Sequence, residues 1–240
     1  MTLVKICGLT RPRDIEAVNA LMPDMAGFVF YRPSRRCVTR ETARELGSML
    51  APCIVKVGVF VDEDPLVIAD LVGSGVIDAV QLHGVEDSAY IHGLRRLVDA
   101  PVIKTFLVRD VEDVEAANRS DADCILLDAG MGSGRTFDWS LLGGMERDYI
   151  LSGGLNPGNI RDAVEMLHPY GVDVSSGVET DGRKDPSKMS TFLETVHRCT
   201  SSWARGPPPG VLGSIRHRRI SELLGVCSSF CRWCPGAIHD

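Results

Sequence analysis

Hydrophobic and polar positions along residues 1–197 repeat in a fixed order. A short apolar run comes first, then a polar or glycine-containing stretch, and then a segment whose apolar residues recur at helical spacing. The apolar runs predict strands at 3–7, 25–31, 53–60, 78–84, 101–108, 123–128, 148–154 and 171–177. The segments after them predict helices at 13–21, 39–50, 64–75, 86–98, 110–120, 138–145, 156–167 and 185–198.

These eight strand-then-helix units indicate a single fold class. The strands are continuous apolar runs, which is typical of parallel strands buried on both faces. Alternating units of this kind make right-handed parallel crossovers, and eight of them can close into a barrel. A doubly wound open sheet is the alternative, but no G-x-G-x-x-G follows the first strand and polar or glycine-rich segments follow nearly every strand. We therefore predict an α/β protein with a (β/α)8 TIM barrel.

Composition restricts the classes of function. The chain has 240 residues, of which 44% are hydrophobic and 24% are charged, as in ordinary globular proteins. Its net charge of −6 argues against a general nucleic-acid binder. No apolar stretch reaches the ~18 residues of a membrane span, and the N-terminus does not read as a secretory signal. We expect a cytoplasmic protein that binds neither nucleic acid nor membrane.

The composition changes after His197, where the chain becomes net basic and contains a Pro-Gly break. The predicted division is a barrel domain at 1–197 and a poorly ordered tail at 198–240. The C-x3-C-x2-C spacing of Cys227, Cys231 and Cys234 superficially matches an iron–sulfur or zinc site. Without a folded shell around it we expect no metal there, and an extension without function, such as a shifted reading frame, is the favoured hypothesis.

The body cysteines are expected to be reduced thiols. Cys7, Cys37, Cys53 and Cys124 lie in or beside apolar runs and show no paired spacing. Thiols with this distribution are typical of proteins from a reducing compartment.

Glycine-rich loops follow the last three predicted strands. Backbone N–H groups in such loops of a barrel commonly bind phosphate, because glycine permits close approach and positive φ. The alternative is that these glycines only make tight turns. The recurrence in three successive units favours a phosphorylated small molecule as substrate. The loop residues are Gly132, Ser133, Gly134, Gly153, Gly154, Ser176 and Gly177.

Two reactive side chains end predicted strands. Cys7 ends the first strand and Asp128 ends the sixth, so both would face the mouth of a barrel. A thiolate and a carboxylic acid on opposite sides of a pocket can share acid–base work, provided that cations lower the pKa of the thiol and burial raises that of the acid. Taken singly, Cys7 also fits a buried core thiol and Asp128 a loop or helix cap.

Three further residues are predicted at the rim. Arg36 follows the second strand, and its guanidinium could bind a substrate carboxylate through two hydrogen bonds. A solvated basic loop is the alternative for Arg36. Gln81 and His83 end the fourth strand and are expected to line the substrate pocket, His83 as a wall residue or as a participant.

The motifs, read in order, resemble one family. "KICGLT", "GFVFYRPSRR", "VGVFV", "VQLHG", "LLDAG", "GSGRTFDW", "LSGGLNPGN", "VDVSSGVE" and "GRKD" follow one another between residue 5 and residue 185. Together they closely resemble the phosphoribosylanthranilate isomerases of tryptophan biosynthesis. The resemblance covers residues 1–197, and the tail lies outside it.

The resemblance implies a cofactor-free Amadori rearrangement of N-(5-phosphoribosyl)anthranilate to 1-(2-carboxyphenylamino)-1-deoxyribulose 5-phosphate. By analogy, Asp128 is the general acid, Cys7 is the general base, Arg36 holds the anthranilate carboxylate and the glycine loops hold the phosphate. The segment "RPSRRCV" departs from the commoner "SPRxV" form, and counting back from Val38 favours Arg36 over Arg35. Members of the family are monomers or homodimers.

Two other functions are compatible with the fold. The related isomerase of histidine biosynthesis resembles the chain in its phosphate loops, but it has an aspartate where this chain has Cys7. Acceptance of both substrates stays open. A phosphate-binding barrel without catalytic activity would be expected to lack the acid or the base, and Cys7 and Asp128 supply both.

Overall fold

The computed structural model describes residues 2–128 and 138–201. Within them, parallel strands form a closed barrel in which each strand pairs with the next and the eighth pairs with the first. The predicted fold class is therefore confirmed. The strands are β1 Leu3–Cys7, β2 Met25–Val29, β3 Val55–Phe60, β4 Ala79–Leu82, β5 Val102–Leu107, β6 Cys124–Asp128, β7 Tyr149–Leu151 and β8 Gly171–Val174. Gly132, Ser133, Gly134, Cys227, Cys231 and Cys234 lie outside the described residues.

Four of the seven described α-helices begin at a side chain that accepts a hydrogen bond from the first turn. Asp64, Asp87 and Asp110 each accept from a backbone N–H two or three residues further on, and Thr39 does the same. Such caps satisfy backbone donors that the helix itself leaves unpaired. The helices are α1 Pro12–Leu21, α2 Arg40–Ser48, α3 Pro65–Gly73, α4 Ser88–Arg95, α5 Val111–Asn118, α6 Ile160–Leu167 and α7 Pro186–Ser201.

Two segments differ from the sequence-based expectation. The helix predicted at 138–145 is a short 3-10 helix, Trp139–Gly144, whose last two residues are glycines with low helical propensity. The loop expected between β8 and the last helix contains a two-stranded hairpin, β9 Glu179–Thr180 and β10 Arg183–Lys184. The last helix continues to Ser201, and the division at residue 197 stays a prediction.

The core has two layers. One apolar cluster fills the barrel interior near the amino ends of the strands, and a larger cluster lies between the strands and the helices. In the larger cluster, Phe60 is fully buried and stacks on Phe30 with 5.1 Å between ring centroids. The interior cluster consists of Leu3, Met25, Val55, Val57, Ala79, Ile103, Cys124, Leu126 and Ile150.

Two further observations concern the described residues as a whole. Cys7, Cys37, Cys53 and Cys124 are free thiols. None of the described helices combines the length and the apolar character needed to cross a membrane.

Phe60 provides a test of the outer core. Replacing Phe60 with alanine is expected to lower the free energy of unfolding by about 3–5 kcal/mol, because it removes a stacked, fully buried ring. Urea denaturation measures this difference. The control is Leu66→Ala on α3, a side chain that is 65% exposed, with an expected change below about 0.5 kcal/mol. A loss below about 1 kcal/mol for Phe60→Ala would contradict this packing.

Candidate active site

The interior of the barrel changes from apolar to polar toward the carboxyl ends of the strands. Side chains alternate along a strand, so Leu3, Lys5 and Cys7 share the inner face of β1. Leu3 belongs to the apolar interior cluster, whereas Lys5 and Cys7 lie above it. Asp173 on β8 and Asp128 on β6 are likewise buried charged groups near the strand ends. The polar end of the barrel is therefore the end where the predicted acid and base lie.

A buried ion pair lies just below Cys7. Lys5 Nζ donates to Asp173 Oδ1 at 3.0 Å, between residues that are direct neighbours in the β1–β8 register. Ser152 Oγ donates to the other carboxylate oxygen at 3.4 Å. Burial alone would lower the pKa of Lys5, but the charges of Asp173 and Cys7 and their hydrogen bonds raise it above its ordinary value. Lys5 is thus a permanent positive charge in the barrel interior.

Cys7 is packed closely against the neighbouring strand. It pairs with Gly27 in the β1–β2 register, and a Cβ on Gly27 would lie 2.7 Å from Cys7 Sγ. Burial raises the pKa of the Cys7 thiol, and Asp173 adds to this effect, while Lys5 and Lys184 oppose it. The net shift is upward. This differs from the expectation that nearby cations lower the thiol pKa, because the cations are present but the loss of solvation outweighs them.

Arg36 is bound to a carboxylate of the chain itself. Its Nε and Nη2 donate to the two carboxylate oxygens of Glu179 at 2.7 and 2.9 Å, and this bond raises its pKa. The side chain crosses Gly8, where φ is +79° and a Cβ would lie 2.3 Å from Arg36 Cδ. Arg36 therefore lies beside the end of β1, with its Nη1 not bonded to Glu179.

Glu179 connects several cations. Its carboxylate is 4% exposed and accepts from Arg36, from Lys184 at 2.7 Å and from Arg35 at 2.8 Å. Burial alone would raise its pKa, but the hydrogen bonds and charges of Arg36 and Lys184 lower it to about 2. The Arg35 side chain is 60% exposed, against 16% for Arg36. Of these two arginines, Arg36 is the one held in the site.

Gln81 and His83 form a small polar group at the end of β4. Gln81 is buried, and its Nε2 donates to Thr105 Oγ1 at 3.2 Å and lies 3.3 Å from His83 Nδ1. Gln81 Oε1 is buried without a hydrogen-bond partner in the part of the chain that the structure describes. Burial lowers the pKa of His83 and outweighs the opposing charges of Asp128 and Asp173. His83 is therefore a neutral imidazole at pH 7.

The loops after β7 and β8 pack tightly on one another. Gly153 and Gly154 have φ of +86° and +66°, which favours glycine at both positions. Gly177 belongs to the 3-10 turn Ser176–Val178, and a Cβ there would lie 1.8 Å from the Leu155 carbonyl oxygen. The predicted loop residues of units 7 and 8 are thus brought together. Phosphate binding by these residues stays a prediction, and the loop of unit 6 lies outside the described residues.

The sequence analysis missed four charged partners of the predicted residues. Lys5 and Asp173 are charged residues inside apolar strand runs, and a buried charge of this kind requires a partner. That signal could have identified the pair. Glu179 and Lys184 stand in a charged segment that looks solvated in the sequence, but both are buried against the site. Their role depends on a hairpin that the hydrophobic pattern did not indicate.

The fold and these side chains define a class. A closed (β/α)8 barrel with reactive and charged groups at the carboxyl ends of its strands is a barrel enzyme with its active site at that end. The particular family follows from the comparisons: the family model of N-(5'-phosphoribosyl)anthranilate (PRA) isomerase matches residues 4–195, and the chain belongs to this family. It is an isomerase of tryptophan biosynthesis.

Individual relatives agree with this assignment. The chain is 46% identical to N-(5'-phosphoribosyl)anthranilate isomerase of Acetivibrio thermocellus, over 82% of this chain and 96% of that protein. It is similar to the Thermus thermophilus enzyme structure, with a TM-score of 0.75, 34% identity, and coverage of 82% and 99%. It is also similar to a solved isomerase in complex with reduced 1-(o-carboxyphenylamino)-1-deoxyribulose 5-phosphate, with a TM-score of 0.74, 39% identity, and coverage of 82% and 100%.

The depressed pKa of Glu179 gives a pH-dependent prediction. The folded-state pKa of about 2 lies below the ordinary value of 4.5, so the stabilisation is complete above pH 4.5 and is lost as pH falls toward 2. Glu179→Gln is expected to cost on the order of 2 kcal/mol at pH 6 and progressively less at lower pH. Denaturant unfolding at pH 2 to 6 measures the difference between the two proteins.

The matched control is Glu115→Gln on α5. Glu115 is exposed and pairs with Arg119 one turn away, so its substitution is expected to change stability by less than about 0.5 kcal/mol at every pH. A cost of Glu179→Gln that stays constant across the pH range would contradict the ion-pair assignment.

Proposed function

We propose that the chain converts N-(5-phosphoribosyl)anthranilate to 1-(2-carboxyphenylamino)-1-deoxyribulose 5-phosphate, with Cys7 as general base and Asp128 as general acid. The observation that carries the proposal is that Cys7 and Asp128 end β1 and β6 and lie at the same end of a closed barrel. Arg36 lies beside Cys7, and the glycine loops after β7 and β8 lie at the same end. Acid, base, carboxylate site and phosphate site would thus surround one substrate.

The reaction begins at Asp128. Its carboxylic acid gives a proton to the ribose ring oxygen, the bond from that oxygen to C1′ breaks, and the nitrogen lone pair forms a protonated Schiff base. Asp128 is left as a carboxylate in a buried position, 6% exposed. Its neighbour His83 is neutral at pH 7, because burial lowers the pKa of His83. No imidazolium therefore competes with Asp128 as the proton donor.

Cys7 completes the rearrangement. Its thiolate takes the C2′ proton, the electrons neutralise the Schiff base, and the resulting enolamine tautomerises to the ketone product. Because burial raises the pKa of the free thiol, the thiolate is the minor form of Cys7 at neutral pH. The rate is therefore expected to rise with pH as the thiolate fraction grows.

Arg36 and the glycine loops provide the binding energy. Arg36 donates to Glu179 only through Nε and Nη2, so the edge of its guanidinium that carries Nη1 can donate hydrogen bonds to the anthranilate carboxylate. Gly153, Gly154, Ser176 and Gly177 offer backbone N–H groups to the phosphate. Binding at both ends of the substrate would hold the sugar between the acid and the base.

The wider setting belongs to the same proposal. We propose a cytoplasmic enzyme, with a phosphorylated small molecule as partner and no nucleic acid, acting as a monomer or a homodimer. A solved relative is described as monomers of the dimeric isomerase from Thermotoga maritima. The isomerase unit is assigned to residues 1–197, with residues 198–240 outside it.

Removal of either catalytic group tests the mechanism. Cys7→Ala and Asp128→Asn are each expected to lower kcat by about 10²–10⁴-fold, because each removes one proton-transfer group. The rate of product formation measures turnover, and far-UV circular dichroism checks the fold. Turnover within tenfold of wild type in either variant would refute the assigned role of that residue.

The carboxylate site has its own test. Arg36→Met is expected to raise KM at least tenfold with a smaller change in kcat, because it removes the group that binds the anthranilate carboxylate. Arg35→Met, the same change one residue earlier, is expected to stay within threefold, since that side chain is largely exposed. Equal effects of the two substitutions would show that Arg36 is not the specific contact.

A further inference from the structure

Lys184 is a buried lysine that the mechanism above does not use. It lies on β10, and its side chain is 2% exposed. Nζ donates to Glu179 Oε1 at 2.7 Å and to Ser175 O at 2.9 Å, and it lies 3.3 Å from Ser175 Oγ. An ammonium group is costly to bury, so its position requires a physical reason.

The partners of Lys184 lead directly to Cys7. The β1–β8 register pairs Ile6 with Val174, so the following residues, Cys7 and Ser175, lie beside each other. Ser175 Oγ donates to the Cys7 carbonyl oxygen at 3.0 Å. The ammonium group of Lys184 is therefore bonded to the residue adjacent to the proposed base, on the side of the barrel that closes onto β8.

The charges around Cys7 do not balance. Lys5 from β1 is compensated by Asp173 from β8. Arg36, from the loop after β2, and Lys184, from β10, share the single carboxylate of Glu179 with the largely exposed Arg35. Without Arg35, whose side chain is 60% exposed to solvent, these groups carry one positive charge more than negative charge, and a thiolate at Cys7 would neutralise it.

We propose that Lys184 is a positioning residue that stabilises the thiolate form of Cys7 and so makes this side chain an effective base. The inference rests on the proposed function, in which Cys7 is the base. It agrees with the direction of the electrostatic effects: burial and Asp173 raise the pKa of Cys7, while Lys5 and Lys184 lower it. Burial lowers the pKa of Lys184, while the hydrogen bond and charge of Glu179 and the charge of Cys7 oppose this shift and favour the ammonium form.

A purely structural role is the competing explanation. Lys184 also joins the hairpin to the β8 loop through Ser175 and Glu179, and Arg11 donates to its carbonyl oxygen at 3.3 Å. An anchor of this kind would affect stability and all activities alike. It would leave the ionisation of the Cys7 thiol unchanged, so a pH titration of that thiol separates the two roles.

The experiment measures the rate of Cys7 alkylation by iodoacetamide between pH 6 and 10.5, using mass spectrometry of the peptide that carries Cys7. Lys184→Met is expected to raise the midpoint by about one pH unit, as expected for the loss of a nearby cation. Lys184→Gln, which is neutral but retains polar contacts with Ser175, is expected to do the same. Lys184→Arg, which keeps the charge, should restore the midpoint to within about 0.3 units.

The matched control is Lys188→Met. Lys188 is an exposed lysine four residues further on, and its Nζ donates to the backbone carbonyl oxygen of Glu179. Its replacement should leave the alkylation midpoint of Cys7 unchanged. An unchanged midpoint in Lys184→Gln would overturn the inference, as would equal shifts in Lys184→Gln and Lys184→Arg. If Lys184→Met does not fold, Lys184→Gln still decides the outcome.

Turnover measured on the same proteins separates this inference from the proposed function. The rising limb of kcat/KM with pH should move upward in Lys184→Gln by the same amount as the alkylation midpoint. If the alkylation midpoint shifts but the pH profile of kcat/KM does not, Lys184 does stabilise the thiolate, but Cys7 is not the base. An unshifted midpoint with an active Cys7-dependent enzyme would reject only the inference.

Discussion

The ion pair between Lys5 and Asp173 is the interaction on which the polar end of the barrel, at the carboxyl ends of the strands, depends. It lies at the seam where β8 closes onto β1, with Lys5 fully excluded from solvent. Buried ion pairs of this type contribute little net stability compared with apolar residues of similar size, whereas loss of one partner costs about 3–5 kcal/mol. The pair is therefore better explained by its electrostatic effect than by a contribution to stability. It holds the Lys5 ammonium group beneath Cys7, where it lowers the pKa of the thiol, although the Asp173 carboxylate partly cancels this effect.

The arrangement works only because two backbones approach closely. Gly27 leaves room for Cys7 Sγ on the neighbouring strand, and Gly8 leaves room for the Arg36 side chain above the end of β1. Any larger side chain at either position would displace the group that it faces. The positions of Cys7 and Arg36, the proposed base and carboxylate site, are thus set by backbone packing in the first two units, while most of the charges that act on them come from the eighth.

Local patterns were sufficient to predict most of the fold. Continuous apolar runs identified the eight strands of the barrel but not the hairpin, and aspartates such as Asp64 and Asp87 stand where helices begin. Cys7 and Asp128 could be predicted at the barrel mouth because strand ends in a parallel barrel meet at one end. The 3-10 helix of unit 6 was less predictable, because its short apolar pattern fits a helix of either kind until Gly143 and Gly144 are weighed.

The electrostatics could not be predicted in the same way. Arg36 and Glu179 are 143 positions apart, and only the closed barrel with its hairpin brings them to within 2.7 Å. The thiol pKa depends on a balance between burial and four charged groups from β1, β8, β10 and the loop after β2, and no local pattern gives the sign of that sum. Because Glu179 contacts both Arg36 and Lys184, the proposed carboxylate site and the lysine beside the proposed base share one counterion. A substrate carboxylate at Arg36 would add a second anion to this group, which would reduce the surplus charge near Cys7. In the proposed mechanism, substrate binding at Arg36 and proton abstraction by Cys7 are therefore electrostatically coupled through Glu179, a residue that touches neither reacting atom.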